Sequence, residues 1–146
     1  MSSADAFPYP IPEFGTEPYW AACNKECLLM QRCTACGKFR WQPAPLCTHC
    51  AADGYTWEAL SGRGHVHTWT VITHPVHPAA VARVPYVVVE VELAEQPGLR
   101  MISNLVDCDP DSISFDAPVV LDFIQHPNGQ KLPVFRLAPQ QAGAAA

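Results

Sequence analysis

The sequence contains few charged residues and no long apolar run. Asp, Glu, Lys and Arg make up 16% of the 146 residues, which excludes the charge excess of an intrinsically disordered chain. No segment approaches the roughly 18 uninterrupted apolar residues of a membrane span, and the first thirty residues lack a basic start followed by an apolar core. We therefore expect a folded cytoplasmic protein with no membrane association.

Basic residues are scarce as well. Nine Lys and Arg stand against 14 Asp and Glu, giving a formal charge of -5, and the basic residues form no cluster. Such a chain repels phosphate backbones, so we expect no nucleic-acid partner. No Gly-x-Ser-x-Gly turn is present, and the aspartates beside Cys108 should raise the pKa of its thiol and weaken it as a nucleophile. We predict no catalytic residue.

Proline, in contrast, is abundant. Its 15 residues argue against long helices and therefore against a helical bundle. The proline-rich segment 74–85 is expected to form the longest loop, and long loops in compact domains often make functional contacts. Residues 1–15 combine aromatic residues with three prolines, which suits either an extended arm lying on another surface or a disordered terminus.

Four of the seven cysteines form two Cys-x-x-Cys pairs. Cys33 and Cys36 make the first pair, and Cys47 and Cys50 make the second. Two facing pairs supply the tetrahedral sulfur set that zinc prefers, and four thiolates leave no coordination position for a substrate. The spacing therefore predicts a structural zinc ion in a ribbon. The alternatives are a rubredoxin-like iron site for electron transfer and, less compatible with a closed sphere, a catalytic metal.

The residues that follow the two pairs differ. Gly37 follows the first pair and accepts the left-handed backbone that such a turn requires, whereas Ala51 follows the second pair, so that turn should be more strained. Cys23 and Cys27 lie outside the quartet, four residues apart on an expected short helix that begins near Thr16. We expect both to be buried as small apolar side chains.

The remaining pattern is that of strands. Runs rich in Val, Ile and aromatic residues predict strands over 64–72, 86–93, 99–106, 119–125 and 132–137, and five such strands suit an OB-fold barrel. In the first of these, strict alternation places Val66 and Thr68 on one face and His67, Trp69 and Val71 on the other. The predicted organisation is an arm and short helix (1–27), a zinc ribbon (28–55), an OB-fold domain (56–138) and a disordered tail (139–146).

The order of these features resembles a known family over about residues 17–138. The shared features are the short helix, the cysteine pairs, Trp57 and the segments Leu-Leu-Met-Gln-Arg-Cys (28–33), Ser-Gly-Arg-Gly (61–64), Pro-Tyr-Val-Val-Val (85–89), Asn-Leu-Val (104–106) and Leu-Pro-Val-Phe-Arg (132–136). The family was formerly labelled only as a domain of unknown function. Its members join a rubredoxin-like zinc ribbon to an OB fold, which implies the same mostly β architecture here.

The resemblance also implies a role. Members of the family are often paired with thiolase-like enzymes or acyl-CoA aldolases, which implies a non-catalytic accessory subunit that stabilises such a partner in acyl-CoA degradation. It further implies acyl-CoA, bound as a CoA thioester, as a ligand. CoA phosphates need cations, and the candidates on loops or the ribbon are Arg40, Arg63, Arg83 and Lys131.

Two other functions remain open from the sequence. OB folds and zinc ribbons both occur in single-stranded nucleic-acid-binding modules, although the acidic charge opposes that function here. A small redox carrier would require iron in the four-sulfur site.

Overall fold

A computed structural model of the chain describes residues 7–139. The expectations for the first six residues of the arm and for the tail beyond residue 139 lie outside this range. The described part begins with a segment that lacks regular secondary structure, followed by one short helix, α1 (Glu17–Cys23), which has Pro18 in its first turn. Within residues 7–139, no helix is both long and apolar enough to cross a bilayer.

The ribbon is a small antiparallel sheet. Its strands are β1 (Leu29–Cys33), β2 (Phe39–Arg40) and β3 (Tyr55–Ala59), in the spatial order β2-β1-β3. Strand β1 lies at the centre and carries the first zinc-ligand candidate, Cys33, at its end. Cys33 pairs with Tyr55 across the sheet.

The other five strands close into a barrel. They are β4 (Arg63–Ile72), β5 (Tyr86–Leu93), β6 (Arg100–Leu105), β7 (Pro118–Gln125) and β8 (Lys131–Leu137). Their order is β4-β5-β6-β8-β7, and every pairing is antiparallel except the short parallel contact of β6 with β8. The predicted mostly β fold, with a ribbon followed by a five-stranded OB barrel, is confirmed.

The predicted alternation along β4 is wrong beyond His67. A β-bulge between Val66 and Thr68 shifts the register against β5. Because a bulge inserts one extra residue into a strand, it exchanges the two faces that follow it. Val66 is fully buried before the bulge, and Trp69 and Val71 pack against the core after it, while Thr68 is exposed.

Ribbon and barrel share one hydrophobic core. The clearest alternation is in β5, where Val87, Val89, Val91 and Leu93 are buried. Leu28 and Met30, from the segment that enters the ribbon, belong to the same buried cluster as the barrel residues. Folding of the ribbon therefore also covers one side of the barrel.

The two cysteines beside the helix differ. Cys23 is fully buried in the shared core, as expected, and burial raises the pKa of its thiol to about 12. Cys27 is only half-buried, because α1 ends at Cys23 and the chain turns before residue 27. The expectation that the Cys27 side chain is buried is therefore met only in part.

Truncation of Phe135, which is fully buried in β8, tests the shared core. We expect Phe135→Ala to lower the free energy of unfolding by ~3 to 5 kcal/mol, since it removes a large core side chain and leaves a cavity. Phe14→Ala is the matched control, because the Phe14 side chain is fully exposed and its loss should change stability by less than ~0.5 kcal/mol. Urea denaturation of the zinc-loaded chain measures both. Equal losses of stability in the two variants would contradict the placement of Phe135 in the core.

Candidate metal centre and ligand cleft

The first cysteine pair lies on a tight turn after β1. The amide of Cys33 donates to the carbonyl of Lys38 at 2.9 Å, and the amide of Gly37 donates back to the carbonyl of Cys33 at 2.9 Å. Gly37 has a φ of 73°, a left-handed conformation that glycine adopts without steric cost. The turn therefore brings Cys36 back beside Cys33.

The second pair repeats this turn in the loop before β3. The amide of Cys47 donates to Ala52 at 2.8 Å, and the amide of Ala51 donates to Cys47 at 2.9 Å. Ala51 has a φ of 63°, which confirms the strained position expected there. The amide of His49 points at the Cys47 sulfur at 3.4 Å.

The four sulfurs lie together. Cys33 Sγ is 3.7 Å from Cys50 Sγ, and Cys36 Sγ is 3.7 Å from Cys47 Sγ. All four sulfurs lie within 4.8 Å of one another. A tetrahedral zinc ion with Zn–S distances of about 2.3 Å needs sulfurs about 3.8 Å apart, so the four residues fit this metal. With four thiolates bound, the ion has no free position for a substrate.

Backbone amides prepare two of these thiols for metal binding. The amide of His49 is the main cause that lowers the pKa of Cys47 to about 6. The amide of Cys36 is the main cause that lowers the pKa of Cys33. A lowered pKa favours the thiolate, which is the form that binds metal. The chemistry that the quartet supports is structural.

Arg40 has a structural role in the ribbon and is not positioned to contact a ligand. Its side chain is only 3% exposed. It donates from Nε to the Gln31 side-chain oxygen at 2.7 Å and from Nη2 to the carbonyl of Ala44 at 2.7 Å. Its guanidinium also lies 4.9 Å from the Tyr55 ring centre. This geometry argues against Arg40 as a contact of CoA phosphates and shows that it supports the loop leading to Cys47.

The other three predicted cations do not converge. Lys131 forms an ion pair with Glu26 at 2.6 Å. Arg63 begins β4, whereas Ile72 at the other end of that strand pairs with Tyr86. Nine residues of extended strand separate these ends by roughly 30 Å. Arg83, near Tyr86, is therefore far from Arg63.

Arg83 lines a cleft that the sequence did not reveal. The cleft has a volume of about 480 Å³ and is bounded by the start of β5, the ends of β6 and β7, the start of β8 and the arm residue Phe7. Such a volume falls within the range of small-molecule sites. The only sequence signals for this cleft were an aromatic residue in the arm and the long proline-rich loop. Neither signal indicates that the arm and the loop meet.

Comparison with known proteins agrees with this architecture. A family model described as the rubredoxin-like zinc ribbon domain of ChsH2 matches residues 20–56, and one described as its C-terminal OB-fold domain matches residues 57–123. Fold and site thus define a protein that joins a zinc ribbon to an OB barrel. The chain belongs to the ChsH2 family, also called DUF35.

Individual relatives are similar over most of the chain. A DUF35 domain-containing scaffold protein of Methanothermobacter thermautotrophicus is 38% identical over 93 residues, which are 63% of this chain and 68% of that protein. A probable enoyl-CoA hydratase alpha subunit of Thermomonospora curvata is 41% identical over 123 residues. That match covers 84% of this chain but only 37% of the Thermomonospora protein, so the chain spans little more than a third of its length.

One solved structure is similar over its whole length. It is described as an Ltp2-ChsH2(DUF35) aldolase, and the matched chain is 38% identical with a TM-score of 0.79. The match covers 90% of this chain and all of that chain.

Replacement of Ala51 tests the strain in the second turn. We expect Ala51→Gly to strengthen zinc binding, because glycine removes a left-handed penalty of ~1 kcal/mol from the folded ribbon. Ala52→Gly is the neighbouring control, since residue 52 does not have a positive φ and added backbone freedom there should weaken binding by ~0.4 to 1 kcal/mol. Competition with a chromophoric chelator measures both. Weaker binding by Ala51→Gly would contradict this account of the turn.

Proposed function

We propose that this chain is a non-catalytic accessory subunit that binds a thiolase-type or aldolase catalytic subunit in acyl-CoA degradation and helps to hold the CoA thioester. The observation that carries the proposal is a set of exposed apolar side chains on the arm and on the loop between β4 and β5. Phe14 is fully exposed, Val76 is 97% exposed, and Ile11 and Val81 are 69% and 62% exposed. These exposed apolar side chains offer contact area to a partner.

The four-sulfur site supports the non-catalytic part of this proposal. Its ligands leave the metal no position for a substrate. Within residues 7–139, it is also the one cluster of Cys, His, Asp and Glu with metal-binding geometry. The reaction is therefore assigned to another subunit.

The comparisons favour a catalytic partner. The similar solved structure joins a second named component, Ltp2, with ChsH2(DUF35) in an aldolase. The Methanothermobacter relative is described as a scaffold protein. Both descriptions fit a chain that supports the activity of another protein.

A CoA contact by Arg83 is part of the proposal. Arg83 is exposed and lines the cleft, so its guanidinium can donate to an oxygen of the CoA thioester at the edge of an apolar site. Arg63 and Lys131 stay predictions for contacts in the assembled complex.

The nucleic-acid alternative has less support. Several cations already have acidic partners: Arg32 with Glu58, Arg100 with Glu92, and Arg136 with Asp107 and Asp122. A single-strand binding groove needs a row of free cations beside stacking aromatic residues. The pairing of these cations with carboxylates weighs against such a row.

Recovery of the tagged chain from its native cells tests the accessory role. We expect a thiolase-fold or aldolase subunit to co-purify in a fixed stoichiometric ratio and to lose stability or activity when this chain is removed. Phe14→Asp combined with Ile11→Asp should reduce the recovered partner at least tenfold, since it places two charges in the proposed contact.

Phe115→Asp is the control. Phe115 is 68% exposed and lies on the loop before β7, outside the arm. A catalytic subunit that never co-purifies and is fully active alone would refute the accessory role. An equal loss of recovered partner with Phe115→Asp and with the double arm variant would refute a specific contact by the arm.

A further inference from the structure

The cleft beside Arg83 has an apolar floor. Val87 of β5 pairs with Leu105 of β6, and Ile124 of β7 pairs with Leu132 of β8. All four side chains line the cleft. Two pairs of strand ends therefore place apolar side chains in the cleft at one end of the barrel.

The polar groups of the lining are engaged or neutral. The Asn104 side-chain amide donates to the carbonyl of Val87 at 3.0 Å. The Asp107 carboxylate pairs with the Arg136 guanidinium. Burial and, to a smaller extent, the charge of Asp109 raise the pKa of the Cys108 thiol, so the thiol is neutral near pH 7. These groups offer little to a polar ligand, and the site favours an apolar one.

Phe7 completes the wall of the cleft, and two contacts hold it there. The Arg83 guanidinium carbon lies 3.8 Å from the centre of the Phe7 ring, a cation–π contact. His126 Nε2 lies 3.1 Å from the Phe7 carbonyl oxygen. Since a carbonyl oxygen can only accept, Nε2 is the donor in this contact. The Tyr9 ring also packs on His126, with 5.4 Å between ring centres.

The lining has one cation. Among the described residues that bound the cleft, Arg83 is the only Lys or Arg, and its side chain is exposed. A ligand whose apolar chain ends in a carbonyl matches this arrangement, because the chain can enter the cleft while the carbonyl oxygen accepts from Arg83 at its mouth.

We propose that the cleft binds the acyl chain of the CoA thioester, with Phe7 as one wall and Arg83 at its mouth. This inference rests on the proposed function, which supplies the thioester as ligand, and assigns the acyl chain to a site. Acyl chains are the part of that ligand which an apolar floor recognises, whereas the nucleotide portion requires polar partners that the floor lacks.

A chain-length series tests the proposal directly. The zinc-loaded full chain is titrated calorimetrically with CoA, butyryl-CoA, hexanoyl-CoA and octanoyl-CoA. We expect the affinity to rise about fourfold for each methylene that enters the cleft, equivalent to ~0.8 kcal/mol. S-octanoyl-pantetheine, which lacks the nucleotide phosphates, should retain the contribution of the chain. Equal affinities for CoA and octanoyl-CoA would overturn the proposal.

Two variants test whether the dependence of affinity on chain length arises in the cleft. Val106→Trp fills it from the end of β6 and should abolish the dependence on chain length while leaving the affinity for CoA unchanged. Phe7→Ala removes the wall and should weaken octanoyl-CoA binding about tenfold. Phe14→Ala is the matched control in the same arm and should change nothing. If Val106→Trp does not fold, the comparison of Phe7→Ala with Phe14→Ala decides alone, and equal affinities for octanoyl-CoA in those two variants would overturn the proposal.

Failure here is distinguishable from failure of the accessory role. A chain that co-purifies with its catalytic partner but shows no dependence on chain length would overturn the acyl site and leave the accessory role standing. A chain whose affinity depends on acyl-chain length but which has no catalytic partner would leave the acyl site standing and overturn the accessory role.

Discussion

The position of four sulfur atoms is the constraint on which the ribbon depends. Its strand β2 has two residues, too few to persist on their own pairing, so metal binding must supply much of the folding free energy, on the order of 10 kcal/mol in sites of this kind. The consequence reaches the barrel, because Leu28 and Met30 enter the shared core beside the ribbon. The metal thus stabilises one face of the OB domain as well as its own loop.

The three parts of the chain have separate roles in the proposed function. The ribbon holds its metal in a closed sphere, the barrel provides an apolar cleft at one end, and the arm extends across that end. Phe7 lies in the cleft wall while Phe14 is exposed to solvent. The same arm can therefore touch a ligand at one point and a partner subunit at another, which would couple the two binding events through one segment.

Local features were predictable from the sequence and long-range ones were not. Cysteine spacing indicated the quartet, and strand composition indicated the barrel, since both depend on neighbouring residues. The bulge at His67 was missed because nothing in the alternation marks it. The burial of Arg40 against Gln31 depends on the pairing of β1 with β2. The contact of His126 with Phe7 joins residues 119 apart in sequence, a separation that no local pattern can reveal.

X-ray absorption of the purified protein at the zinc K edge tests the central claim most directly. The expected result is one zinc ion per chain with a coordination shell of four sulfur atoms at about 2.3 Å. A nitrogen or oxygen atom in that shell would reveal a position open to substrate. Iron in place of zinc would point to electron transfer. Either result would contradict a closed structural site and, with it, the assignment of the reaction to a separate subunit.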